Sequence, residues 1–361
     1  MTVAKSIRET LDQIDDPRCA CDVKIPLYEI LAASIAAILC GQEDLRNMTD
    51  YIETHAEELK ARFGITRIPS EATLRRVLSL ISPQQFGLAC LSLMQQSGQT
   101  PGDVIAVDGK AIRSTEKLKK LQQGLRVLSA YDVATSTVIG QLEVGAKTNE
   151  IPVFQALIPL LEIEGRIITA DALHCQKRSC SLIVEGGGDY VFQVKKNQLE
   201  LYDYVKTYMD DLIDEASEEL STCTTVDVGH GRREQRRCSI VRVDGLADLE
   251  DWSGLALFVA VDRLTEQQGQ ITEERSYYIS SLLGTEVHLQ QIIRDHWKIE
   301  AMHWMLDVTF HEDACRARNP QLQLNLNLLR KLALAVMRQY LQQQIAAGDK
   351  KAVRRSLRQQ M

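Results

Sequence analysis

The chain has 361 residues, of which 45% are hydrophobic and 25% charged, and its formal net charge is −7. This composition excludes a disordered or fibrous protein, and the length suggests two domains. The negative sum argues against a simple basic DNA-binding protein, but screening confines each charge to about 8–10 Å, so local arginine clusters matter more.

Nine scattered cysteines include no pair of CxxC motifs. We therefore expect free thiols in a reducing cytoplasm rather than a structural zinc site. The most apolar segment, residues 27–40, contains Glu29 and is too short to span a membrane. It also lies too far from the N-terminus for a signal peptide, so we predict a buried helix in a cytoplasmic protein.

Residues 1–95 predict a small helical domain. Pro26 and Gly41 are suited to begin and end one helix, and a second is expected over residues 43–61. The segment IPSEATLRRVLSLI predicts another, with Ser70 as its N-cap.

Arg75 and Arg76 point away from the apolar stripe of that last helix. A compact helical domain that ends in a basic helix could dock on DNA. A plain helical bundle with solvated arginines has the same pattern, and the sequence leaves both interpretations open.

From residue 96 onward, strands alternate with helices. Strands are expected at 104–108, 127–135, 137–144, 166–171 and 189–194, with helices at 149–163 and 175–185. This order predicts a mixed α/β fold with helices packed on a sheet that opens with a meander. An RNase H-like fold has this order, but other α/β folds have it too.

Residues 200–275 differ in character and predict a β-rich insertion that includes a run of four arginines at positions 232, 233, 236 and 237. Arg232 and Arg233 could contact DNA or form the solvated face of a hairpin. A strand at 276–282, a helix over about 287–306 and an amphipathic last helix over about 320–346 follow.

Asp108 and Asp171 each end an apolar strand, in VIAVD and RIITAD. Carboxylates at strand ends place oxygen ligands at one edge of a sheet, which suits magnesium or manganese. Alone, each signal is weak, because aspartate is common where strands turn.

Glu300 lies in a helical segment in which His296, His303 and Asp307 share its face and two tryptophans border it. Zinc bound by His296 with Glu300 or His303 is a rival interpretation, although the HExxH pattern is absent. Together, two strand-end aspartates and a helix glutamate could hold the two divalent ions, about 3.5–4 Å apart, that phosphoryl transfer uses.

Five ordered motifs carry a resemblance: AVDGKAIR, NEIP, TADALHCQ, YVFQVKKNQ and HWKIEAMHWMLDVTFHEDACR. They resemble the DDE transposases of bacterial insertion sequences, in particular the subgroup described as H-repeat-associated proteins. The N-terminal PLYEILAASIAAILCG and PSEATLRRVL resemble the domain associated with that subgroup, so the likeness covers nearly the whole chain.

The resemblance implies an RNase H-like catalytic domain over residues 96–361, preceded by the helical domain of residues 1–95. It implies Asp108, Asp171 and Glu300 as the catalytic and metal-binding triad, with Mg²⁺ as the working ion and Mn²⁺ as a substitute. It also implies double-stranded DNA as the partner, in the form of terminal inverted repeats and target DNA, with a homodimer on DNA.

One departure concerns the third acid. Many relatives carry a Tyr-Arg-Glu-Lys signature, whereas the matching positions here are Ile293, His296, Glu300 and Asp307. We expect His296 to take the DNA-contacting role of the arginine. Further candidate contacts are basic or polar residues near the motifs: Lys110, Arg113, Lys195, Lys196 and Asn197.

The predicted function is therefore metal-dependent cleavage and strand transfer at the ends of an insertion sequence. The alternatives are an RNase H-like nuclease without strand transfer, a decayed transposase that only binds DNA, and a helical interaction module with an accessory sheet. Asp103, Asp132, Glu312 and Asp313 stay open as alternative acids.

Overall fold

The computed structural model describes residues 8–95, 101–116, 124–145, 148–229, 231–243 and 246–348. Its principal helices are α1 (Leu27–Leu39), α2 (Leu45–Thr54), α3 (Ala56–Phe63), α4 (Glu71–Leu78), α5 (Pro83–Gln95), α6 (Glu150–Leu157), α7 (Lys177–Glu185), α8 (Leu199–Asp214), α9 (Glu286–Val308) and α10 (Pro320–Ala346). Its strands are β1 (Val104–Ile112), β2 (Leu125–Asp132), β3 (Thr137–Val144), β4 (Ile167–Ala170), β5 (Asp189–Val194), β6 (Ser221–Gly229), β7 (Arg232–Arg242), β8 (Leu257–Gln267) and β9 (Gln270–Ser280).

These elements confirm the predicted mixed α/β class, with an RNase H-like order of strands and helices preceded by a helical region. The described residues fall into two compact units. The first takes its residues from 1–101, 109–148 and 301–361, and the second consists of residues 102–108 and 149–300.

The second unit is built on a sheet with the strand order β1-β4-β5-β9-β8-β7-β6. Strands β1, β4 and β5 run parallel, whereas the pairs from β5 to β6 are antiparallel. Parallel strands need helical crossovers, and α6 and α7 occupy the connections on either side of β4. The carboxyl ends of the three parallel strands therefore meet at one end of the sheet.

Helices cover both faces of this sheet. Phe154 of α6 packs edge-on against Phe192 of β5, and Tyr208 of α8 packs in the same way against Phe258 of β8. On the other face, α9 buries apolar residues against the parallel strands and the insertion, in a cluster that contains Ile167. Helix α9 is thus positioned directly over β4.

The first unit combines the N-terminal helices with the β2–β3 hairpin and the C-terminal helix. Helix α10 packs against α1, α4, α5 and β3. The hairpin is antiparallel, with a register shift between Ala130 and Tyr131. Its apolar contact with α10 runs through Leu125, Val127 and Leu324.

Helix α10 has the predicted bounds, but the prediction that it is amphipathic is wrong. From Leu322 to Ala335 its side chains are buried all round. The polar members of this stretch are hydrogen-bonded in the interior: Asn325 Nδ2, for example, donates to Leu78 O at 2.9 Å and Ile81 O at 3.0 Å. Buried amides of this kind make polar residues recur along the sequence as they would on a solvent-exposed helix face, although here they face the protein interior.

Other predictions differ in detail. The helix expected over 43–61 is two helices, because His55 leaves helical geometry at φ −103° and its ring stacks on Tyr51. Strand β1 continues past the predicted end at Asp108 to Ile112. The insertion begins with helix α8, and its first strand, β6, was not predicted. Among the described residues, no helix combines the length and apolar character that a membrane span requires.

Candidate active site

Asp108 and Asp171 occupy neighbouring positions just past the end of the parallel pairing between β1 and β4, although β1 itself continues to Ile112. The register of β1 on β4 pairs Val107 with Ala170, so the two aspartates are the next residues along the two strands. Adjacent strands lie about 4.8 Å apart, and residues paired in register face the same side of a sheet. Both carboxylates therefore project on one face, and both residues belong to the second unit.

That face is the one that α9 covers. Ile167 packs into the apolar cluster formed with the first turns of α9, and Thr169 Oγ1 lies 3.0 Å from His296 Nδ1. Two residues further along β4 comes Asp171, and one helical turn further along α9 comes Glu300. The third acid is thus on the helix that faces the two strand-end aspartates.

Electrostatics show that the three acids lie within interaction range. Burial raises the pKa of Glu300, and the negative charges of Asp108 and Asp171 raise it further. Burial lowers the pKa of His296, and the same two aspartates partly offset that effect. In the described part of the chain, no three His, Cys, Asp or Glu side chains are already arranged closely enough to form a metal site, and this holds for Asp108, Asp171 and Glu300 as well as for His296, Glu300 and His303.

His174 lies beneath Asp171, at 1% exposure. Its ring stacks on Phe154 with the ring centroids 4.6 Å apart, and its Nε2 lies 3.8 Å from Glu150 Oε2 and 3.9 Å from Asp171 Oδ1. Burial lowers its pKa, although Asp171 and Asp108 oppose that shift. The imidazole therefore supports the strand end that carries Asp171.

Sequence reasoning missed three polar residues that border the acids. Thr169 contacts His296, Glu150 approaches His174, and Gln193 of β5 follows in register beside Asp171 because Phe192 pairs with Ala170. The alternation of side chains along a strand could have indicated Thr169 and Gln193, since every second residue points to the same face of the sheet.

Lys110 and Arg113 differ in exposure. Lys110 is 7% exposed, and its Nζ donates to Asp307 Oδ1 at 2.6 Å and to Glu312 Oε2 at 2.9 Å. Its position contradicts the expected role as a DNA contact, because a buried, doubly paired ammonium does not face a phosphate. Arg113 is exposed, and its backbone N–H donates to Asp313 Oδ1 at 3.2 Å.

Lys195, Lys196 and Asn197 follow the third parallel strand, β5, and all are exposed. They lie at the same end of the sheet as the two aspartates. The Asn197 amide donates to Ala172 O at 2.7 Å, which anchors this loop to the loop after β4. The two lysines are therefore better placed for contact with a phosphate than Asn197 is.

The arginines of the insertion lie on β7. Arg232 is paired with the buried Glu234, and Arg236 is paired with Glu234 and with Asp227. Arg233 is exposed, on the opposite face of the strand from these pairs. The basic run is thus divided between a structural charge network and an exposed face.

Arg75 and Arg76 are exposed on α4, and Arg75 Nη2 lies 2.5 Å from Glu71 Oε1. Arg75 also lines a surface hollow of about 160 Å³ in the first unit, together with Arg46 and Arg316. Two acids, Asp44 and Glu71, line the same hollow, so the three arginines leave it with only a small positive excess.

The alternative acids have other surroundings. Asp103 is exposed and precedes β1, at the opposite end from Asp108. Asp132 is buried and accepts a hydrogen bond from Thr135 N–H at 2.9 Å, within the turn after β2. Glu312 is fully buried against Lys110, and Asp313 bonds to Arg113.

Comparisons with known proteins identify the family. The model of the transposase DDE domain matches residues 99–336, and that of the DDE_Tnp_1-associated region matches residues 8–94. The chain belongs to the family of transposases with a DDE domain, which confirms the resemblance stated from the motifs.

Relatives extend along nearly the whole chain. In Escherichia coli K12, the "H repeat-associated putative transposase YhhI" is 33% identical over 342 residues, which cover 92% of this chain and 90% of the relative. "Putative protein YbfL" of the same strain is 34% identical over 342 residues, with the same coverage. The "H repeat-associated putative transposase YbfD" is 36% identical over 196 residues, or 54% of this chain and 78% of the relative.

Proposed function

We propose that this chain is a transposase that cleaves DNA at the terminal inverted repeats of an insertion sequence and joins the ends to target DNA. Asp108, Asp171 and Glu300 are the catalytic acids in this proposal. The observation that carries it is the register of β1 on β4, which places the two aspartates side by side on the face covered by the helix of Glu300.

A divalent cation, Mg²⁺ with Mn²⁺ as a substitute, fits the donor set of three carboxylates, because hard cations prefer oxygen ligands. The raised pKa of Glu300 supports the fit, since a cation relieves the repulsion that the two aspartates exert on it. When bound, such ions polarise a phosphate and lower the pKa of the attacking water or hydroxyl.

The chain's own residues would position the DNA strand. Lys195 and Lys196 extend from the end of the sheet that carries the aspartates, where an ammonium group can hold a phosphate. In the region before residue 95, Arg75 and Arg76 are the proposed contacts to DNA outside the cleavage site. The reaction brings two DNA ends together, so we propose a homodimer on DNA.

The test is Mg²⁺-dependent cleavage of a duplex that carries the element's own ends, with Asp108→Asn, Asp171→Asn and Glu300→Gln compared with the wild type. We expect each variant to lose at least about 1000-fold in cleavage rate, since loss of a central electrostatic group costs about that much. Binding of the ends, measured by gel shift without metal, should be retained.

Asp103→Asn is the matched control, because Asp103 adjoins the same strand at its opposite end. It should cleave at the wild-type rate. Survival of cleavage in any one triad variant would remove that residue from the site. End binding without wild-type cleavage would contradict the proposal and favour a protein that only binds DNA, and cleavage without joining of ends would favour a nuclease.

A further inference from the structure

One buried hydroxyl joins the three elements that carry the three acids. Thr169 is 2% exposed on β4, two residues before Asp171. Its Oγ1 lies 3.0 Å from Nδ1 of His296 on α9 and 3.5 Å from the carbonyl oxygen of Ile105 on β1. These are the strand of Asp171, the helix of Glu300 and the strand of Asp108.

The spacing along the strand matches the spacing along the helix. Two residues of a strand advance about 6.6 Å, and four residues of a helix advance about 6 Å. From the contact between Thr169 and His296, this step leads to Asp171, directly after β4, and to Glu300 on α9. A helix fixed at the first pair is therefore in register at the second pair.

The packing below this contact is entirely apolar. The cluster around Ile167 consists of branched aliphatic side chains from α9 and the sheet, including Leu289 and Ile292. Apolar contacts are non-directional, whereas a hydrogen bond weakens steeply when its distance or angle changes. The Thr169–His296 contact is a directional link between β4 and α9, two residues before Asp171 and one helical turn before Glu300.

We propose that Thr169 and His296 are positioning residues that fix the register of α9 on β4 and thereby hold Glu300 opposite Asp171. This inference rests on the proposed function of the acids. It replaces the expected DNA-contacting role of His296 with an interior one, because the imidazole is partly buried and bonded to the strand.

The distinguishing test compares two neutral replacements of the histidine. An Asn amide reaches the position of the imidazole Nδ1, whereas a Gln amide reaches that of Nε2. Because the bond runs through Nδ1, His296→Asn should keep the contact and His296→Gln should lose it. On the other side of the bond, Thr169→Ser keeps the hydroxyl, and Thr169→Val replaces it with a methyl group of similar size.

The primary measurement is Mn²⁺ binding by the full chain. The electron paramagnetic resonance signal of the free ion reports this binding, so the measurement does not depend on catalytic activity. Loss of a hydrogen bond that orients a metal ligand typically weakens metal binding 10–100-fold. We expect Thr169→Val and His296→Gln to weaken Mn²⁺ binding about tenfold or more. Thr169→Ser and His296→Asn should stay within about threefold of the wild type on the same scale.

The second measurement is the Mg²⁺ concentration that gives half-maximal cleavage. It should rise in Thr169→Val and His296→Gln but not in Thr169→Ser and His296→Asn. Thr49→Val is the matched control, because Thr49 is also buried and its hydroxyl donates to Leu45 O at 2.8 Å, in the N-terminal region. It should lower the melting temperature without changing Mn²⁺ binding.

The outcomes separate this inference from the proposed function. Suppose that the wild type binds Mn²⁺ and cleaves DNA, and that Thr169→Val and His296→Gln bind Mn²⁺ as tightly as the wild type. This result would overturn the positioning role and leave the proposed function intact. Equal weakening in all four variants would also overturn it, because it would show a need for the native side chains rather than for the bond. Failure of the wild type to bind Mn²⁺ or to cleave would overturn both proposals.

Discussion

Glu300 illustrates how a site residue can oppose the stability of its own fold. Its carboxylate lies within interaction range of Asp108 and Asp171, and its pKa is raised by burial and by those two charges. An acid with a raised folded-state pKa binds a proton more readily in the folded than in the unfolded chain. Its ionisation therefore destabilises the metal-free protein as the pH rises through that pKa.

Glu300→Gln should for this reason stabilise the metal-free protein at neutral pH. Because the residue is substantially exposed, the gain is small, and we expect a rise in melting temperature of roughly 1–3 °C. The gain should be full above the folded-state pKa of Glu300 and should vanish below the unfolded value of about 4.3. Thermal melts in chelator between pH 4 and pH 8 would measure it.

Glu53→Gln provides the comparison, since Glu53 is an exposed helical glutamate in the N-terminal region. This variant should leave the melting temperature nearly unchanged across the same pH range. A Glu300→Gln protein that melts lower than the wild type at pH 7 would show that the carboxylate is held by favourable contacts and not by repulsion.

At the scale of elements, α10 shows that a helix can be predicted correctly while its surroundings are not. Its interior asparagines make hydrogen bonds that water would make at the surface. Asn325, for example, donates to the carbonyl groups of Leu78 and Ile81 at the end of α4. The last carbonyls of a helix have no partner within the helix, so an amide from a neighbouring element stabilises them.

Asn325→Leu should therefore destabilise the protein although it introduces an apolar side chain with the same branching. It leaves two carbonyl groups without the amide, and a buried unpaired polar group costs about 1–3 kcal/mol. Chemical denaturation would measure the loss in the free energy of unfolding. Gln343→Leu, an exposed change on the same helix, should be nearly neutral, and equal effects of the two changes would refute a specific role of the amide.

The sequence predicted the elements that have strong local signals. Pro320 and the long periodic run after it defined α10, and Ser70 was correctly predicted as an N-cap, accepting from Thr73 N–H at 3.3 Å. Strand β6 was missed because its residues are mostly exposed, so no alternation of burial marks it. The break at His55, where φ is −103°, has no signal in the helical periodicity of the sequence.

The sequence proposed the acids of the candidate site, but it did not indicate the residues that contact them. Asp108 and Asp171 end apolar runs, a signal that is visible in one dimension. The partnership of Thr169 with His296 joins residues 127 positions apart and depends on the register of a helix on a strand. The burial of Lys110 was likewise hidden, because its partners Asp307 and Glu312 are about 200 residues away along the chain.

At the scale of the whole chain, the net charge of −7 says little about where the charges lie. The first unit contains a buried polar network that links its distant segments. Glu312 bonds to Lys110 and to Asn327 Nδ2 at 2.8 Å, while Arg330 donates to Glu43 O. The network connects β1, the C-terminal helix and the segment before α2.

Lys331 lies at the edge of this network, and we expect it to make folding sensitive to pH. It is buried, and its Nζ donates to Ser129 Oγ at 2.8 Å and to Gln141 Oε1 at 2.5 Å. Burial lowers its pKa from 10.5 to about 7, with Glu312 opposing the shift and Lys110 adding to it. Between these two values the unfolded chain binds more protons than the folded chain, so stability rises with pH in that window.

Lys331→Met should remove this dependence. The free energy of unfolding of the wild type, measured relative to the variant, should increase between pH 7 and pH 10 by up to about 1.4 kcal/mol per pH unit. Below pH 7 both chains should respond to pH alike, because the lysine is then protonated in both states. The comparison within each pH cancels the titration of cysteines and tyrosines that the two proteins share.

Lys24→Met, at an exposed lysine, should leave the slope of the wild type unchanged. Parallel curves for the wild type and Lys331→Met would show that the buried amine keeps its ordinary pKa and that the network, rather than solvent, retains its charge.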